Sequence, residues 1–297
     1  MLAARNSFSP WPTTRAESAG LGAPLNSSSL RHSDVLRARL LTAAVGLPLL
    51  GFLVCCAPLW LFTAVLLGCT GLGLHEYFSL ARAHNPLPPT VGLAWGMAVA
   101  VSMLSSNAAV VGATVVAGLF LAFLLALRDP QPARALVGIS DTLLGVIYVG
   151  FLLPHLIWVR RGPDGVAWVF FVLLVVMLGD TGGYAIGRVW GKRKLIPHIS
   201  PGKTIEGSGG TVLGNLCAAG LSWVWLFPQR SPVEIVGLAL SLGFLAQVGD
   251  LCESALKRAF GAKDSGHLLP GHGGILDRVD SLLFPAAFIY YYIIGWG

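Results

Sequence analysis

Two long stretches of this chain carry no charged side chain at all: Leu40–Leu74 and Pro86–Leu127. Each is long enough for two helical crossings of a bilayer at about 20 residues apiece. The rest of the sequence agrees. Hydrophobic residues make up 55% of the 297 positions and charged residues only 11%, against about 25% charged in a soluble domain. The expected fold class is therefore all-α: a polytopic integral membrane protein whose core is packed helices in lipid.

Hydropathy and turn residues predict spans at 38–56, 59–80, 91–105, 108–127, 136–158, 166–186, 208–228, 233–256 and 279–296, about nine transmembrane helices. Pro58, Ser105-Ser106-Asn107 and Pro228 mark turns between them. Residues 1–33 are rich in Ser, Thr, Pro, Ala and Gly with no apolar period, which reads as a disordered N-terminal tail. Its arginines faintly resemble a transit peptide, but it lacks an amphipathic face, so a bacterial extension is the simpler reading. The expected organisation is this tail, N-terminal transmembrane helices over 34–165, and a C-terminal catalytic transmembrane region with cytoplasmic loops over 166–297.

Loop charge sets the orientation. Arg37, Arg39, Arg82, Arg128, Arg134, Arg188, Lys192, Arg193, Lys194, Lys203, Lys257, Arg258 and Lys263 all fall on one side if there are nine spans; Arg160 and Arg161 fall on the other. The N-terminus is then cytoplasmic. The net charge of +6 suits loops beside anionic headgroups. With the basic residues confined to short loops, no nucleic acid is expected as a partner. The five cysteines lie in or beside apolar runs with no ligand spacing, so they read as small core- or lipid-facing residues.

Polar chemistry concentrates in the C-terminal half. One helix ends in GDLCESALKR, where Asp250, Ser254, Lys257 and Arg258 share a helical face. Snorkelling explains two terminal cations but not Asp250, which lies further inside, where an ionisable group marks function. Lys263-Asp264-Ser265-Gly266 and Pro270-Gly271-His272-Gly273-Gly274 follow. Glycines there admit a ligand close to the backbone and present N–H groups to anions; an ordinary Gly/Pro turn is the alternative, disfavoured by the flanking Lys263, His272 and Asp277. Asp277, Arg278 and Asp280 open the last helix, and its acids, with Asp250, supply oxygen ligands of the kind Mg²⁺ uses. Helix capping accounts equally for one of the two.

A second cluster lies upstream. Asp180, Tyr184 and Arg188 fall at i, i+4 and i+8 on a glycine-rich helix end. The next loop holds Ser200, Lys203 and Thr204, two hydroxyls and an ammonium able to hold phosphate oxygens, although no GxxxxGK[ST] loop is present. Lys203 serves equally as a membrane-side anchor. Glu76 is expected to pair with Arg82, and Asp141 with Arg134 or to line the cavity. His155 reads as a hydrogen-bonded interfacial histidine, and Phe288, Tyr290, Tyr291, Tyr292 and Trp296 as an interfacial aromatic belt.

The segment Ser254–Asp280, together with Asp180–Arg188 and Ser200–Gly207, resembles the phosphatidate cytidylyltransferase (CDP-diacylglycerol synthase) family. Its signature, S-x-φ-K-R-x4-K-D-x-[GSA]-x2-φ-[PG]-x-H-G-G-φ-x-D-R-φ-D with φ apolar, is matched throughout. The first five spans match it only in hydropathy. The resemblance implies an integral membrane enzyme that uses CTP and phosphatidate, depends on Mg²⁺ and has room for a paired K⁺. It implies metal ligation by Asp250 and Asp277. For aligning two polyanions, the charged and hydroxyl residues nearby are then expected to serve: Asp280, Asp180, Lys257, Arg258 and Lys263 in catalysis, and Ser200, Lys203, Thr204, His272, Arg278, Arg188 and Ser254 in substrate contacts. It is compatible with a homodimer, and with a bacterial inner membrane with the site facing the cytoplasm. Two rivals remain: a transporter, which predicts repeated halves that are not seen, and a CTP-dependent enzyme acting on another lipid.

Overall fold

The computed structural model describes residues 46, 48–82, 84–105, 107–266 and 273–296. The N-terminal tail, residues 38–45 and 47 of the expected span 38–56, and His272 lie outside the described residues; residues 48–55 of that span are helical. Proline and capping residues set most helix starts. Pro89, Pro132 and Pro232 occupy the first turns of α2 (Pro89–Ser102), α4 (Pro132–Arg161) and α7 (Pro232–Ala259). A missing N–H costs nothing in a first turn. Asn107 caps α3 (Ala108–Ala126) by accepting from the Ala109 N–H at 2.9 Å. The remaining helices are α1 (Leu59–Ala81), α5 (Gly165–Trp190), α6 (Ile205–Trp225) and α8 (Leu276–Trp296).

Six helices are long and apolar enough to cross a membrane: α1, α3, α4, α5, α7 and α8. The protein is thus helical and membrane-embedded, but nine spans do not emerge from the described residues. The expected span 91–105 is the 14-residue α2 followed by a 3-10 turn at Met103–Ser105, short of a crossing. The span expected at 208–228 is a helix, α6, whose glycines and polar residues, including the buried Asn215, keep it outside that apolar set. The fifth span runs longer than expected, through a π-helical segment at Val146–Phe151.

The all-α reading needs one amendment. Between α5 and α6 the chain makes an antiparallel hairpin of β1 (Lys194–Ile196) and β2 (Ser200–Thr204), with Lys194 opposite Thr204 and Ile196 opposite Ser200. Strands of three and five residues, one containing Pro201 and Gly202, are too short to show a period of two.

Packing brings the C-terminal helices around one locus. Among the described elements, helices α5 and α6 make the most extensive contact, and α7 packs on both α6 and α8. At the α5–α6 crossing a Cβ on Gly182 would strike the Gly210 carbonyl, and one on Gly210 the Gly182 carbonyl. Small residues therefore let these backbones approach as in other membrane helix pairs. The N-terminal helices do not stand apart, because α8 also contacts α1 and the His155–Arg161 end of α4. There His155 is fully buried, its Nδ1 2.9 Å from the Phe151 carbonyl, among the rings of Trp158, Tyr290 and Tyr291. Part of the expected aromatic belt thus packs inward: Tyr290 lies against Trp158, and the Tyr292 hydroxyl donates to Glu234 at 2.5 Å.

Candidate active site

Helix α7 supplies the backbone of the site. Asp250, Glu253, Ser254 and Lys257 recur at three- and four-residue spacing, so they project from one face. The Ser254 hydroxyl reaches Asp250 Oδ1 at 3.4 Å. The π-helical segment of α4 carries Tyr148, whose buried hydroxyl donates to the Gly249 carbonyl at 3.1 Å, fixing the helix one residue before Asp250. Such segments often sit at functional sites.

Two ion pairs organise the charges. From strand β2, Lys203 Nζ lies 2.7 Å from Asp250 Oδ2, with both side chains partly accessible. On α7, Lys257 is shared between two acids: Glu253, one helical turn back, and Asp277 of α8, whose Oδ1 is 2.5 Å from Nζ. Glu253 is 1% exposed, and its Oε1 has no hydrogen-bond partner among the described residues. Asp180 of α5 lies within charge–charge reach of Asp250 and Lys203, and Asp280 of α8 within reach of Asp250, Asp180 and Lys257. Acids from three helices and lysines from a hairpin and a helix thus share one polar locus.

Asp277 also holds the loop before α8. Its Oδ2 accepts from the Ser265 N–H at 3.1 Å and the Gly274 N–H at 2.8 Å, and lies 2.9 Å from Ser265 Oγ. Gly273 has a φ of 77°, a left-handed conformation open to glycine at little cost. The buried Asp280 turns Oδ1 onto its neighbour's N–H, Ser281 N at 2.7 Å.

Other expected residues have local roles. Thr204 Oγ1 caps α6 by accepting from the Gly207 N–H at 3.0 Å, which leaves its hydroxyl proton available as a donor. Arg188 is exposed and bonds Tyr184 on its own helix at 2.8 Å. Arg258 donates to the Ala262 carbonyl at 3.1 Å beyond the end of α7. Lys263 and Arg278 are exposed at the same end, and Ser200 begins β2. The hairpin is pinned by Glu206, which accepts from the backbone N–H groups of Lys192 at 3.0 Å and Arg193 at 3.1 Å. Its own N–H, then those of Lys192 and Arg193, hold its carboxyl below the usual range.

Two expected pairings fail. Arg134 meets Asp129 rather than Asp141, at 4.0 Å. Glu76 does not pair with Arg82. It is buried against the α8 start, accepting from Ile275 N at 2.9 Å, Leu276 N at 2.8 Å and Ser265 Oγ at 3.0 Å. Loop backbone donors outcompete an arginine at the water-facing helix end. Sequence reasoning also missed Glu253. Its signal was present: a glutamate inside an apolar helix, four residues before Lys257, the favoured order for a helical ion pair.

Residues 37–295 match the sequence model of the Cytidylyltransferase family. This chain belongs to that family. A phosphatidate cytidylyltransferase of Synechocystis sp. (strain ATCC 27184 / PCC 6803 / Kazusa) is 32% identical over an alignment covering 86% of this chain and 96% of that protein. Proteins of the same name from Bacillus subtilis (strain 168) and Staphylococcus aureus (strain COL) are each 43% identical. Those alignments cover 50% and 48% of this chain, and the chain spans about half of each relative, 55% and 54%. The chain is a membrane-embedded member of that family.

A divalent ion suits the donors present, although among the described residues no three His, Cys, Asp or Glu side chains form a metal-holding group. Mg²⁺ commonly uses one or two carboxylates and completes its shell with water and substrate phosphates. Asp250 already has an ammonium 2.7 Å from one oxygen, so a cation is accommodated there. Asp277 is more committed: among the described residues three donors crowd Oδ2 and Lys257 takes Oδ1, so Oδ1 is the less crowded oxygen for an ion.

Proposed function

We infer that this chain transfers the cytidylyl group of CTP to phosphatidate, forming CDP-diacylglycerol and pyrophosphate. The observation that carries the reading is the paired acid–lysine arrangement, Lys203 on Asp250 and Lys257 on Asp277, within the membrane helices of a cytidylyltransferase. The names of the aligned relatives support phosphatidate as the acceptor.

In this reaction a phosphate oxygen of the lipid attacks the α-phosphorus of CTP. The bond from that phosphorus to the bridging oxygen breaks, and pyrophosphate leaves with the electron pair. Both partners are polyanions and the lipid brings its own nucleophile, so no protein serine or cysteine is needed. The protein must align the two phosphates and offset their repulsion. Lys203 and Lys257 sit where they can exchange a carboxylate for a phosphate oxygen. Arg258, Lys263, Arg278 and Arg188, at the same end of the bundle, collect the negatively charged substrates, with Ser200, Thr204, Ser254 and His272 as hydrogen-bonding partners. Asp250 and Asp277 would hold Mg²⁺, which supplies charge neutralisation at the phosphates when bound; Asp180 and Asp280 lie beside them, leaving room for a paired K⁺.

The placement belongs to the same reading. The site faces the cytoplasm of a bacterial inner membrane, where CTP is available. The N-terminus is cytoplasmic, nine spans include the less apolar α2 and α6, the catalytic region is 166–297, and the chain pairs as a homodimer. The acyl chains stay in lipid beside the C-terminal helices.

The test is pyrophosphate release by purified protein in nanodiscs given CTP, phosphatidate and Mg²⁺, with Asp277→Asn in parallel. Release that needs both substrates and the metal, and is lost in the variant, is the expected result. Folded protein inactive on phosphatidate but active on another lipid phosphate would change the acceptor. Folded protein that releases no pyrophosphate with any lipid would overturn the reaction.

A further inference from the structure

We propose that Glu76, on the second expected span and 201 residues from Asp277 in sequence, is a positioning residue for the reaction. It holds the start of α8 and the loop before it in the geometry that presents Asp277. This rests on the reading of Asp277 as part of the active site.

The first N–H groups of a helix have no partner within it. At α8 the Ile275 and Leu276 N–H groups donate to the two carboxylate oxygens of Glu76, at 2.9 and 2.8 Å. A side chain from α1 thus does the work of a local capping residue. Its charge suits the place, since an anion is stabilised at a helix N-terminus. Glu76 is 6% exposed, so without these donors its charge would be stranded away from water.

Ser265 couples this cap to Asp277. Its Oγ lies 3.0 Å from Glu76 Oε2 and 2.9 Å from Asp277 Oδ2. A hydroxyl has one proton, so it donates to one carboxylate at a time and keeps both within reach. The packing leaves no slack. A Cβ on Gly274 would overlap both Ser265 Oγ and Glu76 Oε2, and one on Gly266 would come within 2.9 Å of Glu76 Oε1. Two glycines of the charged segment are therefore shaped around a glutamate from the N-terminal half. Asp277 receives Lys257 from one side and this loop from the other, so a shift in the loop moves the carboxylate.

The experiment uses the full chain in nanodiscs and compares Glu76→Gln and Glu76→Asp with wild type. Glutamine keeps the size but turns an NH₂ toward at least one backbone N–H; aspartate keeps the charge on a shorter stem. Hydrogen exchange at Ile275 and Leu276 reads the cap independently of any reaction. Glu76→Gln should speed exchange at these two amides by roughly ten- to a hundredfold, the loss expected for hydrogen bonds to a charged group. Exchange in α5 and α6 should stay unchanged. The same variant should lower kcat at least roughly tenfold with KM for CTP changed less than about threefold, as when geometry rather than binding is lost. Glu76→Asp should recover part of both effects, and it carries the test if Glu76→Gln does not fold. Unchanged exchange at 275 and 276 would overturn the cap. Faster exchange with wild-type kcat would overturn the positioning role. If wild type turns over no phosphatidate, the reaction assignment fails, while the exchange result still judges the cap.

Discussion

Lys257 gives the sharpest test of how charge is arranged here, because one ammonium serves two acids. Lys257→Met keeps most of the side chain's length and removes its charge. The pair lies well inside the protein: Lys257 is 14% exposed, Glu253 1% and Asp277 10%. Removing one member of a buried pair typically costs about 3–5 kcal/mol, because the partner is left charged and unpaired. Asp277 retains the Gly274 and Ser265 donors, so the stranded group is Glu253, whose Oε1 already lacks a partner among the described residues. That places the cost near the lower end, about 3 kcal/mol. For a chain of this size it corresponds to a fall in Tm of roughly 6–12 °C. Adding Glu253→Gln removes the stranded charge and should restore about half of the loss, since glutamine is neutral and nearly isosteric. Activity should not follow stability. Both variants lack the ammonium, and kcat should fall by roughly 10²–10³ in each, the usual cost of deleting one charge-stabilising donor. The assay is a thermal melt at fixed scan rate beside pyrophosphate release. A double variant no more stable than Lys257→Met would refute the shared-cation account. Recovered activity in the double variant would make Lys257 a structural counter-ion and nothing more.

Asp250→Asn makes the opposite prediction: its bridge to Lys203 is 24% and 30% exposed, so stability should change by only about 0–1 kcal/mol while kcat falls roughly 10²-fold. A large drop in Tm would contradict the partly open placement of that pair. Gly274→Ala forces a methyl group into Ser265 and Glu76, and should cost about 1–3 kcal/mol along with most of the activity; thermal melts and turnover check it. Glu206→Ala should free the hairpin, read as faster tryptic cleavage at Lys192–Lys194. Because the Glu206 carboxyl is held below its ordinary range, its contribution is complete above that range and is lost as pH falls through the depressed value. Wild-type cleavage, read with an acid-stable protease, should therefore rise on acidification and that of the variant should not.

Much of the fold was legible because lipid imposes a simple rule on composition. Charge-free runs became α1, α2 and α3, and the apolar spans expected at 136–158 and 233–256 lie within α4 and α7. The rule weakens where a helix meets its neighbour through small and polar residues. Helix α6 packs glycines on α5 and keeps Asn215 buried, so it falls outside the apolar set although hydropathy predicted its helix. Helix α2 is apolar but short. The β1–β2 hairpin left no period to find, since its pairing rests on turn geometry and on Glu206 rather than on an alternating face.

The candidate site divides along a physical line. Asp250, Ser254 and Lys257 share one helical face, and the 3.6-residue repeat makes that visible without coordinates. Lys203, Asp180 and Asp277 were picked out as single residues, but their partners were not, because ion pairs across elements depend on how helices cross. Glu253 carried a local signal, an acid inside an apolar helix one turn before a lysine, but such a pair also reads as a surface pair, and its 1% exposure decides between the two. Glu76 lies deeper still. Nothing local marks a glutamate near the end of α1 as the cap of a helix that begins 200 residues later. Yet the charged segment carried half of the message, in glycines whose spacing suggests a phosphate cradle. At Gly266 and Gly274 the space they leave is filled by the Glu76 carboxylate. In this membrane bundle, small residues in a polar loop therefore admit a side chain from elsewhere in the chain, and through Ser265 and Asp277 that side chain ties the N-terminal helices to the candidate site.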